Sequence, residues 1–419
     1  MKHLFKLVQL SFLLMIMAFL GLFTSCQKDD LANQTSSTPG TLISYEYIKT
    51  VSTTEMNFLT TVGLSYFMDP SQNAASYSPR FAVPKYPVKL YKVTYQSVIP
   101  ELNKPTIGTG LIAIPDVDTA SLPMISYQHG TVFSRYWVPS IPDSSYETQY
   151  MIAQFASQGY VLIGADYFGI RPGTTESNTY FVQKSTEQAC LDMYKASLQV
   201  LAKENIAMTK FFVNGWSQGA YNTMTFLRRL ERENIPVRAA FTAAAPVDPL
   251  FFITRGVFNP RSFDAPYFPA GLCNMLFSIE KYNKISGLTT RYIQPQYLDD
   301  ARKFYNFEKT FDEFYRDVPH ALDSVFTPQF FAEGQTVNAP FWRVLGESEA
   351  YKWLSPTPLR AYYGMHDEAV PEYIASLAVN YMTTLGKTDA VAINAGQNAD
   401  HRTTYIESIL DAKAWIDSY

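Results

Sequence analysis

The sequence predicts an α/β fold: a mostly parallel sheet flanked by helices, with a mainly helical segment inserted before the last strands. Short apolar runs alternate with stretches in which apolar residues recur every three or four positions, a pattern typical of buried strands and amphipathic helices. Strands and helices in alternation imply right-handed crossovers and therefore a parallel sheet. Between residues 249 and 355 the alternation stops, over a length too great for a plain connection.

The strands are predicted in chain order from the apolar runs. Residues 89–97 and 109–114 are extended segments separated by a turn with proline and asparagine, which predicts an antiparallel pair. Later strands are expected at residues 124–128, 161–165, 211–214, 239–244, 359–363 and 391–393. Helices are expected at residues 152–157, 191–201, 220–230, 374–385 and 406–416, where apolar side chains share one face.

The inserted segment, residues 249–355, divides the core into residues 42–248 and 356–419. It is rich in Phe, Tyr and Pro and shows no clear strand. Because folds of this kind bind ligands at the carboxyl ends of the strands, we expect a mainly helical cap over that edge. The alternative is a packed subdomain that never contacts a ligand. Its aromatic side chains are expected to form core rather than a pocket.

The N-terminus predicts a secretion signal over residues 1–25. Lys2 and Lys6 precede an apolar run that ends in Thr-Ser and Cys26. This stretch resembles the lipobox of bacterial lipoproteins, which implies that Cys26 is lipidated and anchors the protein to a membrane. A plain signal peptide with an incidental cysteine is the alternative.

Residues 26–41 are polar and cannot bury apolar area, so we expect a flexible tether. The tether starts Cys-Gln-Lys-Asp-Asp, which resembles the surface-export signals of Bacteroidetes lipoproteins. The expected location is therefore the outer membrane, on its periplasmic or its exposed side.

The composition argues against several classes of function. A net charge of −4 and the absence of a basic run argue against nucleic-acid binding. Cys190 and Cys273 remain once Cys26 is assigned to lipid, and buried free thiols are expected although a pair is possible. No close spacing of histidines and carboxylates suggests a metal, and no glycine loop suggests a phosphate, so no cofactor is expected.

Residues 215–219 have the sequence Gly-Trp-Ser-Gln-Gly and lie between a predicted strand and a predicted helix. In so tight a turn a side chain at either glycine would collide with a neighbouring element, and Ser217 is held in a strained conformation at a helix N-terminus. This arrangement is typical of a nucleophilic serine. Such a serine needs a histidine to take its proton and a carboxylate to orient that histidine.

Asp367 and His401 complete this arrangement, because each follows a predicted strand and they come after Ser217 in the order serine, acid, histidine. Asp248 also ends a predicted strand and is the alternative acid. The other histidines lie in the signal, before the serine, in the cap or beside the acid: His3, His129, His320 and His366. Glu368 and Asp400 are expected to be solvated or to cap the following helices.

Acyl transfer also needs hydrogen-bond donors for the negatively charged oxygen of the tetrahedral intermediate. The backbone N–H of Gln218 supplies one. The other is expected from the loop after residues 124–128, where Gln-His-Gly-Thr ends at Thr131. Glycine allows this backbone to approach a substrate, so the N–H of Gly130 or Thr131 is the candidate. The alternative is an ordinary turn with a buried histidine.

These motifs, with Asp-Tyr-Phe-Gly at residues 166–169, resemble the secretory-lipase branch of the α/β-hydrolases from about residue 45 to the C-terminus. The resemblance implies the α/β-hydrolase fold, an acyl-enzyme on Ser217, a small ester substrate and no metal or cofactor. Ala220 and Ile170 stand where many members have glycine, which loosens the distinction between lipase and esterase. Two other functions stay open: a peptidase or amidase with the same triad, and a catalytically silent lipoprotein that binds nutrients at the surface.

Overall fold

A nine-stranded sheet forms the centre of the protein in the computed structural model, which describes residues 38–419. The strands are β1 (Leu42–Val51), β2 (Val88–Ile99), β3 (Lys104–Pro115), β4 (Ser121–Gln128), β5 (Val161–Ala165), β6 (Ala207–Trp216), β7 (Ala239–Ala243), β8 (Leu359–Tyr363) and β9 (Ala390–Asn394). They lie in the order β1-β2-β3-β5-β4-β6-β7-β8-β9. The pairs β1–β2, β2–β3 and β3–β5 are antiparallel and all others are parallel. The predicted mostly parallel sheet is confirmed.

Helices cover both faces of this sheet. Successive side chains of a strand point to opposite faces, and in β4 Met124 packs in one hydrophobic cluster whereas Ile125 packs in another. The α-helices of the described residues are α1 (Thr53–Phe58), α2 (Leu64–Phe67), α3 (Ala74–Tyr77), α4 (Tyr146–Gln154), α5 (Gln183–Lys203), α6 (Gln218–Arg232), α7 (Pro249–Phe258), α8 (Phe268–Tyr282), α9 (Leu288–Tyr292), α10 (Leu298–Tyr305), α11 (Phe311–Asp317), α12 (Leu322–Val325), α13 (Pro328–Thr336), α14 (Pro340–Glu347), α15 (Glu372–Ala375), α16 (Leu377–Thr384) and α17 (His401–Asp417).

Strand β1 and helices α1 to α3 were not predicted. β1 is an edge strand with side chains only partly buried along its length, so it has no apolar run. The chain joins the sheet just before β1. Gly40 N–H donates to Gln96 O over 2.8 Å, and Gln96 N–H donates to Thr41 O over 2.9 Å. The last two residues of the expected tether, residues 40–41, therefore pair with β2.

The inserted segment is mainly helical, as predicted, and holds α7 to α14. Its aromatic residues form a core of their own. The Phe330 ring lies 4.8 Å from that of Phe326, 5.1 Å from that of Trp342 and 5.5 Å from that of Tyr292. All four side chains are fully buried. These aromatic residues thus stabilise the cap itself, while its predicted boundaries stay a prediction.

The predicted signal at residues 1–25, the lipid anchor at Cys26 and most of the tether lie outside the described residues. Within residues 38–419 no helix is long and apolar enough to cross a membrane. Cys190 and Cys273 are buried free thiols, and burial raises the pKa of both. The structure therefore contains no disulfide between these two cysteines, which was the alternative prediction.

Candidate active site

Ser217 lies in a sharp turn between β6 and α6. Its backbone has φ 57° and ψ −124°, an uncommon conformation for a residue with a side chain, which costs on the order of 1–3 kcal/mol. The Ser217 N–H donates to the carbonyl oxygen of Ala243, at the end of β7, over 2.9 Å. The neighbouring strand thus holds the turn, and the serine lies at the N-terminus of α6, where the helix dipole favours negative charge.

The two glycines beside Ser217 are required by close backbone contacts. A Cβ at Gly215 would lie 2.4 Å from the carbonyl oxygen of Gly219. A Cβ at Gly219 would lie 1.9 Å from the carbonyl oxygen of Gln128, at the end of β4. The start of α6 therefore packs directly against the end of β4 and the loop that follows it, and no side chain larger than that of glycine fits at position 219.

Asp367 and His401 come together at the carboxyl ends of β8 and β9. The imidazole Nδ1 of His401 lies 3.0 Å from both carboxylate oxygens of Asp367. The same carboxylate accepts the backbone N–H groups of Ala369 and Val370, over 2.9 and 2.8 Å. Because a carboxylate only accepts hydrogen bonds, Nδ1 carries the proton and Nε2 is left as a base.

Trp216, the residue before Ser217, contacts His401. Its indole N–H donates to the carbonyl oxygen of His401 over 3.0 Å, and the two rings lie 4.8 Å apart. Trp216 directly precedes Ser217, so the residue beside the serine is fixed against the histidine. In the part of the chain that the structure describes, the hydrogen bonds of the His401 ring go to Asp367 alone, so Nε2 has no protein partner there.

The surroundings of His401 favour its protonated form. Burial by itself lowers the pKa of this imidazole, but the charge and hydrogen bond of Asp367, with Glu368 and Asp400 nearby, outweigh burial and raise the pKa above its ordinary value. Glu368 accepts the backbone N–H of His401 over 3.0 Å, and Asp400 accepts that of Thr403 over 2.7 Å. Both carboxylates therefore cap the N-terminus of α17, which is one of the two roles that the sequence predicted for them.

The competing residues lie in other arrangements. Asp248 caps α7 by accepting the N–H of Phe251 over 2.9 Å. The ring of His320 stacks on Tyr315, and that of His366 stacks on Phe263.

His129 is fully buried, and burial lowers its pKa to about 4, so the ring is neutral near neutral pH. It is the first residue of the loop after β4, and its Nδ1 contacts the carbonyl oxygen of Gly130 over 2.8 Å. The histidine of this motif is therefore part of the loop's internal structure.

The structure separates the two candidates for the second oxyanion donor. The Gly130 N–H donates to the carboxylate of Glu147 over 2.9 Å, so this group is occupied, which corrects the expectation for Gly130. No acceptor for the Thr131 N–H lies among residues 38–419. Gln218 is the first residue of α6, and the first N–H groups of a helix lack partners within it. Gln218 and Thr131 therefore remain as the candidate donors.

Glu147 was not anticipated from the sequence. It lies in α4, and its carboxylate also accepts the hydroxyl of Tyr127. Burial raises the pKa of this carboxyl, while the hydrogen bonds from Tyr127 and Gly130 act in the opposite direction. No motif marks Glu147, because it meets Gly130 only once α4 packs beside β4.

The cap contacts the loop that carries Asp367. The Arg261 guanidinium donates to the backbone carbonyl of Asp367 over 2.7 Å, and Ala265 N–H donates to that of Glu368 over 2.9 Å. Asp264 holds Arg261 in place over 2.8 Å and also pairs with Arg255. The segment between α7 and α8 is thus fixed to the acid of the candidate triad. Within the described residues no group of His, Cys, Asp and Glu could hold a metal ion.

Comparisons with known proteins bear on this arrangement. No family model and no curated protein matches the sequence. A solved structure of a Legionella pneumophila protein assigned as a hydrolase shares 20% identity at a TM-score of 0.78, with 90% of this chain and 98% of that chain covered. The chain has the α/β-hydrolase fold.

Two further structures share this α/β-hydrolase fold. The rice cell wall degrading esterase LipA from Xanthomonas oryzae is 17% identical at a TM-score of 0.78, with 91% of this chain and 98% of that chain covered. Lipase A from Candida antarctica is 15% identical at a TM-score of 0.61, with 88% of this chain and 79% of that chain covered. At these identities the likeness establishes the fold, and the predicted fold class is confirmed.

Proposed function

We propose that the protein is a serine hydrolase of carboxylic esters that forms an acyl-enzyme on Ser217. The observation that carries this proposal is the buried pair of His401 and Asp367, joined at 3.0 Å and fixed through Trp216 beside the strained serine. The shared fold of an esterase and a lipase supports ester chemistry. A small ester is the proposed substrate, and neither a metal nor a cofactor takes part in the proposed steps.

In the proposed reaction His401 Nε2 accepts the proton of Ser217 as the serine oxygen attacks the ester carbonyl. Asp367 accepts the Nδ1 proton in a hydrogen bond and stabilises the imidazolium that forms. The oxyanion accepts hydrogen bonds from the N–H groups of Gln218 and Thr131. His401 then donates the proton to the alcohol oxygen as its bond to the carbonyl carbon breaks. To release the acid, water attacks the acyl carbon while His401 Nε2 takes its proton, and the Ser217 oxygen leaves with that proton.

The experiment compares turnover of nitrophenyl esters of increasing acyl length by wild type, Ser217→Ala and His401→Ala. Ser197→Ala is the control, because this serine is buried outside the candidate site and its hydroxyl has no partner within the described residues. We expect the first two variants to lose turnover and the control to keep it. Turnover by Ser217→Ala at the wild-type rate would contradict the proposal.

A matched nitroanilide in the same assay separates ester from amide hydrolysis. Faster turnover of the nitroanilide would instead indicate a peptidase or amidase. If wild type hydrolyses neither substrate and a fluorophosphonate does not label it, the protein is a binding lipoprotein rather than an enzyme.

We further propose that Cys26 is lipidated and that the domain is held at the outer membrane by the following tether. The support is in the sequence: two lysines, an apolar run and a small-residue stretch that ends at this cysteine. Growth with labelled palmitate should label the wild type but not Cys26→Ala. Cys190→Ala is the control and should be labelled, because Cys190 is buried in the domain. Digestion of intact cells with protease then distinguishes the exposed from the periplasmic side.

A further inference from the structure

The loop after β4 is held by side chains that take no part in the proposed reaction. Glu147 accepts the Gly130 N–H over 2.9 Å from one side. On the other side, the hydroxyls of Thr131 and Tyr180 are hydrogen-bonded over 3.0 Å. Tyr180 is in turn tied to the cap, since its carbonyl accepts the Ser278 hydroxyl in α8 over 2.6 Å. The loop is therefore bound both to the core and to the cap.

The Glu147 carboxylate is closely fitted beneath Gly130. A Cβ at Gly130 would lie 3.2 Å from one carboxylate oxygen of Glu147 and 3.2 Å from the Trp216 ring. The other oxygen accepts both the Gly130 N–H and the Tyr127 hydroxyl. The Glu147 backbone is also fixed, because its carbonyl accepts the Tyr405 hydroxyl over 2.8 Å. This carboxylate consequently has little freedom to move.

These contacts define the orientation of the peptide that links Gly130 to Thr131. Its carbonyl oxygen contacts His129 Nδ1 over 2.8 Å. In a trans peptide the N–H points away from the carbonyl, so the Thr131 N–H is directed away from the His129 ring. Gly130 itself is free to adopt many backbone angles, and an external contact is needed to select one. The Glu147 carboxylate, which holds the N–H of this glycine, supplies that contact.

We propose that Glu147 is a positioning residue that orients the Gly130–Thr131 peptide so that the Thr131 N–H binds the oxyanion. This inference rests on the proposed ester hydrolysis. It assigns to Glu147 the role of a hydrogen-bond acceptor rather than that of a charge, because one oxygen makes both contacts. Glutamine retains one such oxygen, whereas alanine retains none.

The test measures kcat and KM for a nitrophenyl ester with Glu147→Ala and Glu147→Gln. Glu101 provides the matched control: its carboxylate also accepts a backbone N–H and a hydroxyl, both from Ser185 at the start of α5, over 3.1 and 2.5 Å. Loss of an oxyanion donor costs about 100- to 1000-fold in kcat, and a displaced donor costs less. We therefore expect Glu147→Ala to lower kcat about 10- to 100-fold with little change in KM.

The conservative variant Glu147→Gln should restore most of kcat, and Glu101→Ala should match wild type. Hydrogen–deuterium exchange of a peptide covering residues 128–133 should be faster in Glu147→Ala than in Glu147→Gln. If Glu147→Ala does not fold, Tyr127→Phe takes its place, since it removes the second hydrogen bond to the same oxygen. That variant should also lower kcat and speed exchange.

The inference is overturned if Glu147→Ala keeps both kcat and slow exchange, if Glu147→Gln is as impaired as alanine, or if Glu101→Ala is equally impaired. These results are distinct from a failure of the proposed function. That failure would appear as no turnover by wild type or as full turnover by Ser217→Ala. The exchange experiment then still decides whether Glu147 holds the loop.

Discussion

Replacement of Gly219 by alanine should separate the start of α6 from the loop after β4. The added Cβ would lie 1.9 Å from Gln128 O and 2.5 Å from His129 O. Both are backbone atoms, so no side chain can rotate away. To reach the 3.4 Å of an ordinary contact, the two backbones must move apart by about 1.5 Å. This movement pulls Gln218, next to Gly219, away from Thr131.

The magnitude follows from two opposing effects. Alanine is favoured over glycine in a helix by about 1 kcal/mol. Overpacking in a tight interior costs about 1–3 kcal/mol, and the backbone contact at Gly219 places it at the upper end. The net loss in free energy of unfolding is therefore about 2 kcal/mol. A donor misplaced by about 1 Å can cost about 100-fold in rate, so kcat should fall by at least that factor.

Urea unfolding followed by circular dichroism measures the stability, and nitrophenyl ester turnover at low urea measures kcat. Gly271→Ala in α8 is the control, because its Cβ would lie 3.7 Å from the Tyr180 hydroxyl, an ordinary contact. That variant should keep kcat and gain up to about 1 kcal/mol. A Gly219→Ala protein with wild-type stability and kcat would refute the proposed contact between α6 and the loop.

Four further predictions concern the triad. Asp367→Asn should lower kcat about 10,000-fold in single-turnover assays, whereas Asp248→Asn should not; the reverse result would move the acid to Asp248. The kcat/KM of wild type should rise with pH through the His401 pKa, which Asp367 raises above its ordinary value, and the profile between about pH 5 and 9 should shift to lower pH in Asp367→Asn. Because the native pKa exceeds the unfolded one, His401 adds stability below about pH 6.5 that is lost as pH rises through the native pKa, which Tm against pH can show. Arg261→Ala removes the hydrogen bond to the Asp367 carbonyl and should lower kcat about 10- to 100-fold, and an unchanged kcat would show that the cap does not position the acid.

The parts of the fold that were predictable are those in which burial alone sets the sequence pattern. β5 and β8 each lie between two other strands and are mostly buried, and their predicted limits coincide with the observed ones. β1 was missed because one of its sides has no neighbouring strand and none of its residues is fully buried, so burial does not impose an apolar pattern on it. Its pairing with β2 depends on backbone hydrogen bonds, which every residue type except proline can form, so the amino-acid sequence does not indicate it.

For the candidate site, the placement of residues was predictable where it follows from chain order. Ser217, Asp367 and His401 each follow a strand, and parallel strands bring their carboxyl ends to one edge. Glu147 and Arg261 could not be predicted, because each contacts the site from a separate element whose position depends on packing in three dimensions. The hydrogen bond that occupies the Gly130 N–H could not be predicted either, because its acceptor is Glu147.

The most direct test of the proposed acyl-enzyme on Ser217 is to locate the covalent adduct by peptide mass spectrometry. The protein is treated with a fluorophosphonate and, separately, quenched in acid during turnover of a nitrophenyl ester. We expect a phosphonyl and an acyl group on Ser217, with both lost in His401→Ala. An adduct on another residue, or an adduct on Ser217 that forms equally fast without His401, would contradict the proposal.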